Sequence, residues 1–406
     1  MGATDKNANF NLSPSNPQCG TTLWSEGYRG RMDCSAAMEG IKGSPVGDGV
    51  RLPLLADCVT MRAMYYYILT STFGDVPFYT EAVTNIDVLD AVASLGRMDA
   101  AATRDYLINE LESYLGYLPH KRACDVADNR TTAPFAYMLI AKLAMWNKDF
   151  ETASEALLEI RSIYGNLDPG KYPLEDIMAS HRNSDESIFE IQRAYSPTGI
   201  KKTTNIACIC TPARTGDIYD GVQIPEMGAL STIWTCMSPT SYLSRTVFSN
   251  TADPRRDMTL AFQYNGVKFS RPASGGRPWL GPKFWNFGMI GVADGNNQKI
   301  FRFAEALLML AECANEMGRT DLAVECYNEV RRRAGVSEMA WHSGYRSFLE
   351  ELREEKAREL FGEYGRKWDL VRWGIWYSET MDHAGAEYSN IRDNMKPCHE
   401  YYPIPD

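Results

Sequence analysis

Acidic and basic side chains cluster near the C-terminal end of the chain at spacings that could support chemistry. Glu355, Glu359 and Glu363 follow one another every four residues, and Arg366 comes three residues after the last of them. Two carboxylates held close together are the usual machinery of general acid–base catalysis. Side chains three or four residues apart also share one face of a helix, where they can pair as a ladder. With the apolar Leu360 beside them, we interpret the set as a structural network of the last helices.

Other signatures of catalysis or metal binding are missing. The chain has no G-x-S-x-G elbow, Walker loop or H-E-x-x-H helix, and its histidines lack ligand spacing. Cys208 and Cys210 are separated by one residue, which is not the spacing of a zinc site. We therefore predict that the protein is not an enzyme and needs no metal or cofactor; calcium is compatible with the sequence but not predicted. A glycosidase needs only two carboxylates brought together by the fold, so an all-α glycoside hydrolase stays open as an alternative.

Large aromatic side chains offer a second kind of chemistry in a Pro- and Gly-rich region from about residue 165 to 298. Sugar rings pack their C–H faces on aromatic planes and hydrogen-bond to polar neighbours, so aromatic loops can bind a glycan. For each ring taken alone, a position in the core is the alternative, because aromatic residues are often buried. The candidates for a glycan platform in this region are Trp234, Tyr242, Trp279, Tyr219 and Tyr264.

Two predicted helical hairpins, at 133–163 and 300–335, form the scaffold on either side of this region. Each places small and large apolar residues on facing helices, with a turn at Lys148 in the first hairpin and at Gly318 in the second. The same residue types thus occur at the same relative positions in both segments, which is typical of tetratricopeptide repeats. The predicted core positions are Ile140, Ala141, Ala144, Ala153, Leu157 and Ile160 in the first hairpin, and Leu307, Leu310, Ala311, Ala314, Ala323, Tyr327 and Val330 in the second.

The remaining pattern predicts a mostly α protein. Apolar periodicity predicts further helices at 22–41, 52–73 and 100–118. The helical period disappears from 165 to 298, where only short strands are predicted, at 187–192 and 267–270. We divide the chain into an N-terminal helical part (1–164), a loop-rich variable lobe that is the candidate glycan-binding face (165–298), and a C-terminal helical part (299–406).

Composition limits the classes of partner. The formal net charge of −10 and the isoelectric point near 5.2 argue against nucleic acid, which requires clustered Lys and Arg, and favour an uncharged ligand. No stretch approaches the roughly 20 apolar residues needed to span a bilayer. Ten cysteines in 406 residues do not amount to a disulfide framework, and the sequence leaves their pairing open.

Several motifs carry a family resemblance. RFAEALLMLAE at 302–312, NEVRRRAG at 328–335, WDLVRWG at 368–374 and YYPIP at 401–405 resemble the C-terminal half of the SusD/RagB family. Earlier segments agree in family order: MRAMYYYILTSTFGDVPFYTE at 61–81 and SDESIFEIQ at 184–192. The sequence departs from the family pattern at Lys356, where Arg is usual, and at Tyr364, where Gly is usual. It also ends shortly after PIP, where a longer tail is expected.

The resemblance implies a SusD-like fold and a glycan-binding lipoprotein on the outer membrane of a Gram-negative bacterium. Such proteins capture an oligosaccharide or polysaccharide without catalysis and pass it to a TonB-dependent, SusC-like barrel. The family often places a binding aromatic residue at the FGD turn, which adds Phe73 to the platform candidates. A signal, a lipidated cysteine and at least one further helix are expected to precede this sequence. Two alternatives stay open: a tetratricopeptide-type adaptor that binds a protein, and a transporter lid without glycan affinity.

Overall fold

The computed structural model describes most of the chain. The described residues are 19–127, 130–195, 199, 201–228, 235, 237–273, 275–289, 292–384 and 389–405. Among them, no helix is both long enough and apolar enough to cross a membrane.

Helices dominate the structure, which confirms the predicted fold class. In chain order they are α1 Cys19–Lys42, α2 Asp48–Phe73, α3 Ile86–Ala93, α4 Ala100–Tyr114, α5 Ala133–Trp146, α6 Phe150–Tyr164, α7 Ile206–Cys210, α8 Pro254–Thr259, α9 Ser270–Ala273, α10 Phe303–Glu316, α11 Thr320–Arg333, α12 Tyr345–Glu359, α13 Arg366–Arg372, α14 Trp376–His383 and α15 Ser389–Asn394. One turn of π-helix covers Leu243–Val247.

The strands are short and lie almost entirely in the loop-rich region. They are β1 Ser187–Ile191, β2 Ala194–Tyr195, β3 Lys201–Lys202, β4 Arg214–Thr215, β5 Ile218–Tyr219, β6 Val222–Gln223, β7 Leu260–Ala261, β8 Gln263–Tyr264, β9 Val267–Lys268, β10 Trp279–Leu280 and β11 Gln298–Arg302. All the pairs are antiparallel: β1 with β11, β2 with β3, β4 with β5, β5 with β6, β7 with β10 and β8 with β9.

The described residues form two compact units. The helical unit comprises the described parts of Asn9–Gly165, Lys367–Tyr377 and Asn394–Asp406, and the mixed unit comprises those of Asn166–Arg366 and Ser378–Asp393. The first hairpin, α5 and α6, belongs to the helical unit. The second, α10 and α11, belongs to the mixed unit together with the loop-rich residues. The three-part division of the sequence stays a prediction.

The two hairpins repeat one geometry at an offset of 170 residues. Every predicted core position in both hairpins is buried. Lys148 and Gly318 both adopt positive φ at the turn, 60° and 69°. The residue after each turn donates its N–H to the same small residue of the preceding helix, Asp149 to Ala144 at 2.9 Å and Arg319 to Ala314 at 2.7 Å. The repeat predicted from residue types is therefore a repeat of backbone geometry.

The other helices follow the sequence pattern with local differences. The helix predicted at 52–73 begins earlier, at Asp48, and contains Pro53. The helix predicted at 100–118 ends at Tyr114 and continues as a 3₁₀ turn to Tyr117. Helix α3 was not predicted, since it has eight residues and none of them is buried.

Candidate functional site

The clustered carboxylates of α12 are buried and paired with cations from other elements. Both Glu355 and Glu359 are fully buried. Glu359 accepts hydrogen bonds from Arg302 of β11 and Arg333 of α11 on Oε1, and from Arg255 of α8 on Oε2 at 3.0 Å. Burial alone would raise the pKa of Glu359, but the three guanidinium groups outweigh it and hold this pKa well below its usual range. A carboxylate bound in this way is a structural anion rather than a proton donor.

The neighbouring carboxylates extend the same network. Glu355 accepts from Arg255 at 2.6 Å on one oxygen and from Arg331 and Arg358 on the other, at 2.9 and 3.0 Å. Glu363 accepts from the buried Lys283 at 2.6 Å, and from Arg302. Each carboxylate of the predicted set is thus held by cations, as the structural interpretation requires.

The predicted ladder is wrong in one respect: α12 ends at Glu359 and α13 begins at Arg366, so Glu363 and Arg366 do not share one helix with Glu355 and Glu359. The guanidinium of Arg366 donates to the backbone oxygen of Arg353 at 2.9 Å. Helical spacing correctly places Glu355 and Glu359 together, but their buried partners come from α8, β11 and α11, which helical spacing cannot indicate.

Trp279 is held in place by polar contacts of its indole ring. It lies on β10 and keeps part of its indole exposed. Its Nε1 donates to Oδ2 of Asp220 at 2.8 Å, and the same oxygen accepts the backbone N–H of Arg271 at 2.7 Å. The Arg271 guanidinium lies 4.1 Å from the centre of the indole ring and donates to Ser238 Oγ at 3.2 Å. We call Trp279, Asp220, Arg271 and Ser238 the Trp279 patch.

The Trp279 patch depends on a tight hairpin. Strands β5 and β6 are joined by Asp220 and Gly221, whose φ values of 45° and 87° fit a two-residue turn of the kind that Asp-Gly favours. The turn also lies close to Ser270: its Oγ is 2.6 Å from the point where a Cβ on Gly221 would sit. Asp220 was not among the predicted site residues, although its Asp-Gly dipeptide was a usable signal. Nothing in the sequence singled out Arg271.

Tyr264 and Tyr242 are partly buried. Tyr264 packs with Trp279 on one apolar cluster that contains Trp285, so the structure brings these two candidates to the same core. Tyr242 packs on a different cluster, and its ring lies parallel to the ring of His383 with the centres 3.5 Å apart. One face of Tyr242 is therefore covered.

Two candidates prove to be core residues. Tyr219 is 1% exposed in the cluster beneath Trp279, because the β5–β6 hairpin turns its ring inward. Phe73 is 4% exposed at the end of α2 and meets Trp24 edge to face at 5.0 Å. Neither ring offers a face to a sugar, so the prediction that they form a platform is corrected. Trp234 lies outside the described residues.

The described residues offer no cluster of three or more His, Cys, Asp and Glu side chains that could hold a metal ion. Cys208 and Cys210 are buried on α7, and Cys208 belongs to the core beneath Trp279.

Comparison with known proteins gives one family. The SusD family model matches residues 279–406. SusD-like protein P25 of Formosa agariphila is 25% identical over 416 residues, which cover 94% of this chain and 75% of that protein. Surface glycan-binding protein A from Bacteroides uniformis superposes with a TM-score of 0.75 at 25% identity, covering all of this chain and 87% of that one. A laminarin-binding SusD-like protein gives a TM-score of 0.76 at 20% identity, with coverages of 100% and 87%. The motifs are thus matched by the SusD family model over residues 279–406, and a SusD-like protein and a similar fold align over nearly the whole chain.

Proposed function

We propose that this protein binds an oligosaccharide or polysaccharide at the bacterial cell surface without catalysing its cleavage. The observation that carries the proposal is the Trp279 patch, a partly exposed indole held in one orientation by Asp220 and Arg271. An aromatic plane with fixed polar neighbours suits a sugar, whose C–H faces are apolar and whose edges carry hydroxyls. Tyr264 is proposed as a second contact of the same platform, and Tyr242, one face of which His383 covers, as a further contact.

A non-catalytic role fits the state of the carboxylates in α12. Glu355 and Glu359 are fully buried and bound by arginines, so neither can reach a glycosidic bond or exchange a proton with it. No cofactor is proposed. Relatives named for binding surface glycans and laminarin support the ligand class and make laminarin the first polymer to test.

The proposed setting is the outer membrane. By analogy with the family, a lipid anchor that precedes this sequence would hold the protein at the surface, and a TonB-dependent, SusC-like barrel would receive the glycan. Cross-linking in intact outer membranes followed by co-purification tests the partner. Recovery of the protein without any barrel would argue against delivery while leaving glycan binding in place.

Affinity electrophoresis tests the binding. The protein is run through gels that contain laminarin or another soluble polysaccharide, beside Trp279→Ala and the matched control Trp341→Ala. Trp341 is 75% exposed on the loop between α11 and α12 and belongs to the same unit, so it controls for loss of a surface indole.

We expect one polymer to retard the protein and Trp279→Ala to weaken that binding at least tenfold, about 1.4 kcal/mol. Trp341→Ala should behave as the unmodified protein. Equal retardation of all three proteins would place the platform elsewhere. If no polymer retards the protein, the favoured alternatives are a transporter lid without glycan affinity and a protein-binding adaptor.

A further inference from the structure

A cavity of about 160 Å³ opens in the mixed unit between the loop that precedes α8 and the helices α11 and α12. Residues 247–250 line it together with Arg331 of α11 and Arg358 of α12, and we call it the Arg331 pocket. A protein cavity of about 150 Å³ can hold a benzene ring, so the Arg331 pocket has room for one six-membered ring. A second pocket, beside Tyr364, measures about 50 Å³ and is too small for one.

Two guanidinium groups of the Arg331 pocket are held in fixed positions. Arg331 Nη1 and Arg358 Nε donate to the same oxygen of the fully buried Glu355, at 2.9 and 3.0 Å. Arg331 Nε also donates to the backbone oxygen of Ser337 at 2.6 Å. Arg358 Nη1 donates to the backbone oxygen of Val247 at 3.3 Å. Because both arginines bind one oxygen atom, their guanidinium groups are neighbours.

Each of these guanidinium groups keeps one nitrogen for a ligand. Among the described residues, neither Arg331 Nη2 nor Arg358 Nη2 donates a hydrogen bond. The two side chains are 19% and 11% exposed, so both still reach solvent. A carboxylate has two oxygens and can accept from two such nitrogens at once. The pair therefore suits an anionic group with at least two oxygens.

The charges around the pocket also favour an anion. Arg331 forms an ion pair only with Glu355 in the described part of the chain, and it shares that carboxylate with Arg358. The second partner of Arg358 is Glu354, which is 41% exposed, so water screens its charge. Asp253, which also lines the pocket, is bound with both oxygens by a different arginine. The net charge of −10 describes the chain as a whole and does not determine the charge of one pocket.

The rim of the Arg331 pocket offers groups that suit hydroxyls. Ser249, Asn250 and Glu351 line the pocket and are exposed. Asn250 Oδ1 accepts from the N–H of Ala252 at 3.0 Å, which leaves its amide nitrogen to donate. The carboxylate of Glu351 is positioned to accept from ligand hydroxyls, and it has no hydrogen-bond partner among the residues that the structure describes. Because Glu351 is exposed, water and salt screen its repulsion of an anion held by the arginines.

We propose that the Arg331 pocket binds one acidic sugar unit, a hexuronate, whose carboxylate accepts from the Nη2 atoms of the two arginines. Its hydroxyls bind Ser249, Asn250 and Glu351. The inference takes its saccharide class from the proposed function, but none of the lining residues belongs to the Trp279 patch. A polysaccharide with neutral and acidic units can occupy both sites at once and gain avidity that a single sugar does not.

Methyl NMR tests the proposal at the pocket itself. Valine methyls are labelled, and the signals of Val247, which lines the pocket and is 2% exposed, are assigned with Val247→Ile. Val50 and Val267, which lie elsewhere and are 56% and 52% exposed, are the reference signals. Glucuronate, galacturonate, glucose, galactose and acetate are each titrated to about 50 mM at constant ionic strength, a range that covers dissociation constants on the order of 10 mM.

We expect at least one uronate to shift the Val247 signals in a saturable way, without moving those of Val50 and Val267. Its neutral counterpart should bind at least tenfold more weakly, because it lacks the carboxylate that the arginines bind. Acetate has the charge without the ring and should also bind at least tenfold more weakly. Added sodium chloride should weaken the binding of the uronate, because it screens the attraction between the charges.

Two matched pairs of variants test the contacts. Arg331→Lys keeps the positive charge that pairs with Glu355 but loses the second donor nitrogen, so it should weaken uronate binding at least fivefold. Arg332→Lys makes the same change at an exposed neighbour and should bind as the unmodified protein does. Ser249→Trp fills the rim of the pocket and should abolish the shifts, whereas Ser343→Trp should not. Both serines are exposed, so neither substitution should lower the urea midpoint.

The outcomes separate this inference from the proposed function. The inference is overturned if no uronate moves the Val247 signals, or if acetate or the neutral sugar binds as tightly as the uronate. It is also overturned if Arg331→Lys and Ser249→Trp leave the binding unchanged, whatever the gels show. If Trp279→Ala abolishes the shifts, the pocket is not a separate site. Shifts that persist in Trp279→Ala and vanish in Ser249→Trp support the pocket even where no polymer retards the protein.

Discussion

Replacing Glu359 with Gln should cost this protein a large share of its stability. The carboxylate is fully buried and accepts from Arg255, Arg302 and Arg333. Gln has nearly the same shape, but it carries no charge and turns an N–H₂ donor toward guanidinium groups that are themselves donors. Removing one partner of a buried ion pair costs about 3–5 kcal/mol, because the remaining charges stay buried without compensation. We expect a loss in that range for Glu359→Gln.

Urea unfolding followed by circular dichroism and tryptophan fluorescence measures the effect. With a urea dependence of about 3 kcal/mol per molar, a loss of 3 kcal/mol lowers the midpoint by about 1 M. Glu338→Gln is the matched control, because Glu338 also pairs with an arginine, Arg332, but both side chains are about half exposed. An exposed pair contributes about 0–1 kcal/mol. If the two variants lose similar amounts of stability, the idea that burial makes the Glu359 network costly to break is refuted.

Two further predictions concern acid and the turn after α12. The pKa values of Glu186, Glu355 and Glu359 are lowered because their arginines outweigh the effect of burial. These ionised carboxylates therefore stabilise the folded protein above the pKa of an unfolded glutamate, near 4.3, and the stabilisation is lost as the pH falls through their lower pKa values in the folded protein. The urea midpoint should therefore drop below about pH 4, with a smaller drop in Glu359→Gln; a midpoint constant down to pH 3 would contradict this. Gly362→Ala should cost about 2–4 kcal/mol, since φ is 82° and the new Cβ would meet Phe284. Gly96→Ala, with open space around it, should change stability by less than about 0.5 kcal/mol, and equal effects of the two would argue against the close approach at Gly362.

The scaffold could be predicted because its signals are local. Small residues at 141, 144 and 153 and their equivalents at 311, 314 and 323 recur at helical spacing, and burial follows directly from that spacing. The turn residues Lys148 and Gly318 differ in type, yet they share a backbone conformation because the flanking helices repeat. A pattern that lies within 35 residues of chain contains most of what determines such a hairpin.

The platform was harder to predict, because the register of a strand determines which of its side chains are exposed. In the β5–β6 hairpin, Ile218 is 47% exposed and Tyr219 is buried, although either residue could face the core. A shift of one residue exchanges the two faces, and nothing local to the sequence chooses between them. Phe73 did carry a usable signal: it continues the face of α2 that contains Tyr66 and Leu69, both fully buried.

The partners of the buried carboxylates lie beyond local patterns altogether. Arg255 is 100 residues before Glu355 in the chain, and Arg302 is 57 residues before Glu359. Only the fold brings them together. Tyr364 shows a related limit, because residue type alone does not reveal its positive φ or the pocket beside it.

The buried network explains how a region with few long elements keeps a defined geometry. The strands between residues 201 and 280 have two residues each, too few for their backbone hydrogen bonds to fix the region. Arg255 of α8 and Lys283 beside β10 are instead bound to Glu355, Glu359 and Glu363 at the end of α12. These are charge-assisted bonds between buried groups, and they have strong directional preferences. The loops between Arg255 and Lys283 can then differ in sequence, and hence in the ligand that they fit. Trp279 lies four residues before Lys283, so its position is fixed by the contact of Lys283 with Glu363.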